Sequence, residues 1–86
     1  MDKEKLKTML NGSSKVVGSK QVLKGISDGT VRCVIVASDA DADLKDRIVT
    51  AAREANVTVY GFSTMRKLGE EAGVDVAASA IGLLIG

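Results

Sequence analysis

Arg32-Cys33-Val34-Ile35-Val36-Ala37 is nearly all apolar and rich in β-branched residues. That is the composition of a central strand covered on both faces. Downstream, Ser38 through Asp43 forms a polar connection, and Asp43 is placed to cap a helix over residues 44–55. Leu44, Ile48, Ala51, Ala52 and Ala55 hold its apolar face together at helical spacing. Val57 to Phe62 reads as a second strand, after which Ser63 or Thr64 opens a helix through Met65 and Leu68 that stops before Gly73. Val74-Asp75-Val76-Ala77-Ala78-Ser79 is a loop, and Ala80 to Ile85 is a last apolar strand.

Upstream, Val16-Val17 is a very short strand running into Gly18-Ser19. A helix follows from about Lys20 to Ser27, with Ser19 as its expected N-cap, an apolar stripe of Val22, Leu23 and Ile26, and Asp28-Gly29 closing it. Leu6, Met9 and Leu10 fall at i, i+3 and i+4, so residues 2–11 read as a short amphipathic helix ended by Gly12. Strands alternating with helices predict a three-layer α/β/α sandwich around a four-stranded mixed sheet. At 86 residues the chain suits one domain, 1–86, with a thin stability margin.

With 45% hydrophobic residues but no Trp, one Tyr and one Phe, the core must come from Val, Ile, Leu, Ala and Met. Tyr60 and Phe62, two apart on a strand, point to one face and read as core rather than as a stacking platform. The longest apolar run is too short to cross a membrane, and the charged start leads into no signal core, so the expectation is a cytoplasmic protein. The net charge of +1 is uneven. Residues 1–32 carry seven basic side chains against three acidic, a balance of +4; residues 33–86 carry five against eight, a balance of −3. A polyanion-facing N-terminal half is one reading of that asymmetry.

Catalytic constellations are almost absent. There is no histidine, hence no Ser–His or Cys–His pair. Cys33 lies inside the apolar strand and reads as a small buried hydrophobe. Asp39, Asp41 and Asp43 alternate as in a calcium loop, but Leu44 holds the glycine position and Thr50 the closing glutamate position. They read as a solvated loop whose last Asp caps a helix, so no metal and no cofactor are expected. Gly18-Ser19-Lys20-Gln21-Val22-Leu23-Lys24-Gly25 sits between strand and helix, where phosphate loops sit, yet fits neither GxxxxGK[ST] nor GxGxxG. Lys20 and Lys24 share one helix face with Gln21 beside them. On chemistry alone this is either a polar reading head flanked by positive charge or an ordinary solvated helix face.

The same segment resembles the G-T-N-E-x-x-K signature of the kink-turn-binding ribosomal proteins of the L-seven-Ae/L-thirty-e type. Val34 through Asp41 is similar to that family's strand and A-E-D-x-D loop, and Ser63 through Ser79 to its L-G-x-A-x-G-I-E-V-x-A-A close. The three segments occur in the family's order and cover about residues 15–85. Lys20 and Gln21 stand where the family has Asn and Glu, a pair that looks like its small bacterial branch; Ser38 replaces the A-E-D Glu, and Ala42 and Ala77 stand at proline positions.

The resemblance implies a non-catalytic RNA-binding protein, and the helix–strand alternation with no long exposed apolar segment leads to the expectation of a monomer. Its partner would be a kink-turn, a sharply bent internal loop with tandem sheared G·A pairs, in ribosomal or regulatory RNA, with the ribosome itself left open. Carried over by position, Gly18 and Ser19 would approach the groove, Lys20 and Gln21 would contact the G·A bases, and Lys24 would contact adjacent bases or phosphates. The loop Val74, Asp75, Val76, Ala77 and Ala78 would pack on the extruded nucleotide, and Arg32 joins the expected RNA-binding set. The rival expectations are a ribosome-assembly or protein-interaction module with decayed RNA contacts, and a small ligand-binding or enzymatic fragment built on the Asp loop.

Overall fold

The structure, a computed structural model, describes residues 8, 10, 14–73 and 77–85. Strands β1 (Lys15–Val17), β2 (Val31–Ala37), β3 (Thr58–Phe62) and β4 (Ala80–Leu84) form one sheet in the order β1-β4-β2-β3. Helices α1 (Ser19–Asp28), α2 (Ala42–Glu54) and α3 (Met65–Ala72) connect them in turn. β2 and β3 pair in parallel, whereas β4 runs antiparallel to both β1 and β2. The sheet is therefore mixed and four-stranded. Of the helix expected over residues 2–11, Thr8 and Leu10 are described and helical, and Leu10 is fully buried; Gly12 lies outside the described residues.

Two apolar layers sandwich the sheet. On one face, Val22 and Ile26 of α1 and Ile48 and Ala52 of α2 pack against Val34, Val36 and Ala80. On the other, Leu68 and Ala72 of α3, with Leu10, pack against Cys33, Ile35, Phe62, Ile81 and Leu83. Strand β2 thus sends alternate side chains into different cores, which is why its sequence reads as an unbroken apolar run. Tyr60 packs half-buried against the α3-side core, and Phe62 is buried in it.

The pairing of β2 with β4 skips a residue: Val31 faces Leu84 and Cys33 faces Leu83. Arg32 is the extra residue of this bulge, and it is exposed. The bulge reverses the alternation, so Val31 joins the α1/α2-side core although Cys33, two positions on, lies in the other. Val31 in turn sets how closely α1 approaches the sheet. A Cβ at Gly25 would stand 2.4 Å from Val31 Cγ2, so only glycine allows this contact. Gly25 is accordingly a packing residue, and it also closes the helix by accepting from Thr30 N–H at 2.9 Å.

Two helix starts differ from the sequence expectation. Gly18, at φ 100° and ψ 146°, caps α1 without any side-chain bond, and Ser19 is the first helical residue. The chain leaves β1 through a conformation that an L side chain rarely adopts, and this pushes Ser19 one place inwards. In α2 the cap is Asp41, whose Oδ1 accepts from Asp43 N–H at 3.0 Å and Leu44 N–H at 3.3 Å. Asp43 sits inside the first turn, where its charge favours the positive helix end. The other boundaries follow expectation: Thr64 caps α3, and Gly29 and Gly73 end α1 and α3 in left-handed conformations. No described helix is long and apolar enough to cross a membrane.

Candidate nucleic-acid interface

Because β1, β2 and β3 run the same way and β4 runs against them, three strand ends and the entry to β4 share one end of the sheet. Helices α1, α2 and α3 also begin there. Backbone bonds tie this end together. Gly18 N–H donates to the Ala80 carbonyl, Ala37 N–H to that of Ser79 and Ser38 N–H to that of Phe62, each at 2.9 Å. Ligands of open α/β sheets gather at ends of this kind, where loops and helix starts converge.

Helix α1 supplies the polar side chains. Val22, Gly25 and Ile26 turn to the core, which leaves Lys20, Gln21 and Lys24 exposed. Lys20 and Lys24 lie one turn apart on a shared face, about 6 Å along the axis. The first turn of α1 contains no acidic residue and its cap contributes no side-chain bond. The starts of the other two helices each take a carboxylate: α2 from Asp41, and α3 from Asp39, whose Oδ1 accepts from Met65 N–H at 2.7 Å. Among these three starts, α1 alone keeps its positive end open to an outside anion or polar base edge.

The entry to β4 runs beside this helix start, since Gly18 is bonded to Ala80. Ala77 is exposed and Ala78 is buried at 2%. Ala78 N–H donates to the Met65 carbonyl at 3.0 Å, which fixes the loop to the first turn of α3. Val74, Asp75 and Val76, expected to continue this surface, lie outside the described residues. Gly18, Ser19, Lys20, Gln21, Ala77 and Ala78 thus gather at one end, with Lys24 one turn further along α1.

Arg32 does not join them. It sits at the opposite end of β2, five residues before Ala37, or roughly 16 Å of strand. The Asp loop has a role that its spacing did not announce. Asp39 and Asp41 each accept backbone N–H groups of a helix start. Lys45 Nζ donates to the Ser38 carbonyl at 2.7 Å, and Ser38 Oγ donates to the Ser63 carbonyl. Sequence reasoning missed the bond from Met65 to Asp39, for which the only signal is an Asp 26 residues before a helix start. Among the described residues, no three acidic, Cys or His side chains gather as a metal site. Cys33 is buried, and burial pushes its thiol pKa up, with a smaller opposing influence from Arg32.

Comparison with known proteins agrees with this arrangement. Residues 3–84 match the model of the ribosomal protein L7Ae/L30e/S12e/Gadd45 family. The chain is 38% identical over 76 residues to an RNA-binding protein of Geobacillus sp. strain WCH70, covering 88% of this chain and 93% of that one. It is 37% identical over 76 residues to the RNA-binding protein YbxF of Geobacillus stearothermophilus, with the same coverage. It is also 38% identical over 80 residues to the large ribosomal subunit protein eL30 of Sulfurisphaera tokodaii, covering 92% of this chain and 76% of that one. Among solved structures, a Giardia lamblia 15.5kD RNA binding protein superposes with a TM-score of 0.80. That match has 21% identity and covers 96% of this chain and 72% of that one, a likeness of fold. With the sheet order, the helix starts and a match over nearly its whole length in agreement, this chain is an RNA-binding protein of the L7Ae/L30e/S12e/Gadd45 family.

Proposed function

We propose that this protein recognises kink-turn RNA at the end of the sheet where α1 begins, as a non-catalytic, cytoplasmic monomer acting on ribosomal or regulatory RNA. The observation that carries the proposal is the exposed set Lys20, Gln21 and Lys24 at a helix start with no carboxylate of its own, beside Ala77 and Ala78. In this reading Gln21 meets base edges, since an amide both donates and accepts, while Lys24 meets phosphate. Lys20 lies between them and can serve either. A kinked internal loop suits such a surface, because unstacked RNA offers base edges and shape that a regular A-form duplex hides. The buried aliphatic side of α1 holds this polar face rigid against the sheet, so recognition requires little ordering of the protein.

Amide shift mapping on isotope-labelled protein tests the location. Titration with a kink-turn RNA should move resonances of Gly18 to Lys24 and Ala77 to Ser79, and leave Arg32 and Ile85, at the far end of the sheet, in place. Shifts concentrated around Arg32 and Ile85 would contradict the proposed site. No shifts at all would favour a module whose RNA contacts have decayed.

A further inference from the structure

We propose that Asp39 is a positioning residue for RNA recognition, acting through the first turn of α3 on the loop that enters β4. The inference rests on the reading of this end as the RNA site, and the geometry is a relay of backbone groups. Met65 N–H donates to Asp39 Oδ1 at 2.7 Å, and the carbonyl of the same residue accepts from Ala78 N–H at 3.0 Å. Met65 therefore carries a side-chain contact on one side and the loop on the other. Asp39 is itself held in place. Its neighbour Ser38 donates from its backbone N–H to Phe62 and from its hydroxyl to Ser63, and accepts from Lys45 Nζ. Ala37 N–H then closes the circuit by donating to the Ser79 carbonyl at 2.9 Å.

The ends of β2 and β3, the first turn of α3 and the entry to β4 are thus bonded into one brace. Ala77 and Ala78 contribute no polar side chain, so any role they play in binding depends on where their backbone is held. A charge-assisted bond from a carboxylate to a helix-start N–H is stronger than a neutral one and is also aligned with the helix dipole. Asp39 is exposed, so its effect runs through position and not through burial.

Two neutral variants separate that role from charge. Asp39→Asn keeps an oxygen that can accept from Met65, whereas Asp39→Ala keeps none. Amide hydrogen exchange should rise on the order of tenfold or more at Met65 and Ala78 in Asp39→Ala, and by only a few-fold in Asp39→Asn, as expected for losing or weakening one charged hydrogen bond. Core amides such as Val34 and Ile35 should keep wild-type rates in both. Affinity for a kink-turn RNA should fall on the order of fivefold to twentyfold in Asp39→Ala and be largely restored in Asp39→Asn. Unchanged exchange at Ala78 in Asp39→Ala would overturn the relay. Faster exchange with unchanged affinity, or equal affinity loss in both variants, would overturn its role in recognition. A wild-type protein that binds no kink-turn RNA would remove the proposed function and this role with it, while the exchange rates still decide whether Asp39 holds Ala78.

Discussion

In the proposed reading, the turn of α1 that holds Gln21 and Lys24 carries two kinds of information. Lys24→Ala should weaken kink-turn binding roughly fivefold to thirtyfold and flatten the salt dependence by about one ion, because it removes a positive charge that would face a phosphate in the proposed complex. Gln21→Ala should instead cost more on an intact kink-turn than on one whose G·A pairs are replaced by Watson–Crick pairs. Equal losses on both RNAs would deny it a base-reading role. Gly18 acts through the backbone: nothing lies within 4 Å of a Cβ built there, but its φ of +100° makes any side chain strained. Gly18→Ala should therefore cost about 1–3 kcal/mol of stability in a denaturant titration, without any clash. Cys33, buried and with its pKa raised by desolvation, should react with a thiol reagent only on unfolding. Its linkage has a definite sign. The unfolded thiol, near its ordinary value of 9.0, ionises before the folded one, so stability is full below that pH and falls as pH rises through it. These side-chain types were legible in the sequence because they stand in a glycine-led turn and in an apolar run. The Asp39 bond to Met65 was not, since it joins residues 26 apart and leaves no periodic trace.

Among the elements, α1 has an open start, whereas α2 and α3 have closed ones. Replacing Asp41 by Ala should cost about 1 kcal/mol, the ordinary cost of losing an N-cap, and leave RNA affinity near wild type. Asp43→Ala should cost less, since Asp43 only lies in the first turn. That comparison, read by thermal melting, distinguishes the observed cap from the one the spacing suggested. The error had a physical cause: Asp39, Asp41 and Asp43 all satisfy the composition rule for a cap, and the choice depends on where the chain leaves β2. Gly25→Ala should destabilise the fold by about 1–3 kcal/mol, because the added methyl would overlap Val31 and the α1–sheet contact would have to open. The role of Gly25 and the bulge at Arg32 share an origin that one strand's sequence does not contain. Both depend on β4 pairing beside β2 with one residue skipped.

Over the whole molecule, the alternation of strands and helices made the layered α/β class readable, and the unbroken apolar run at β2 placed that strand in the centre. The position of β4 was not readable. It inserts antiparallel between β1 and β2, a long-range choice made by packing, and that choice brings Ala77 and Ala78 beside Gly18. The separation of charge along the chain also becomes spatial in part. Lys20 and Lys24 stand on α1, whereas Asp39 and Asp41 are engaged at the starts of α3 and α2. Arg32, counted with the same basic half, ends up at the other end of the sheet.

Titration of the wild-type protein against a matched pair of RNAs, an intact kink-turn and the same RNA with its sheared G·A pairs replaced by Watson–Crick pairs, tests the central claim most directly. At one fixed salt concentration the intact RNA should bind at least about fivefold more tightly, as expected if base edges contribute on the order of 1–3 kcal/mol beyond the phosphate term. The advantage should persist when the salt is raised, while both affinities fall. Equal affinity for the two RNAs at both salt concentrations would contradict kink-turn recognition and leave only binding through charge.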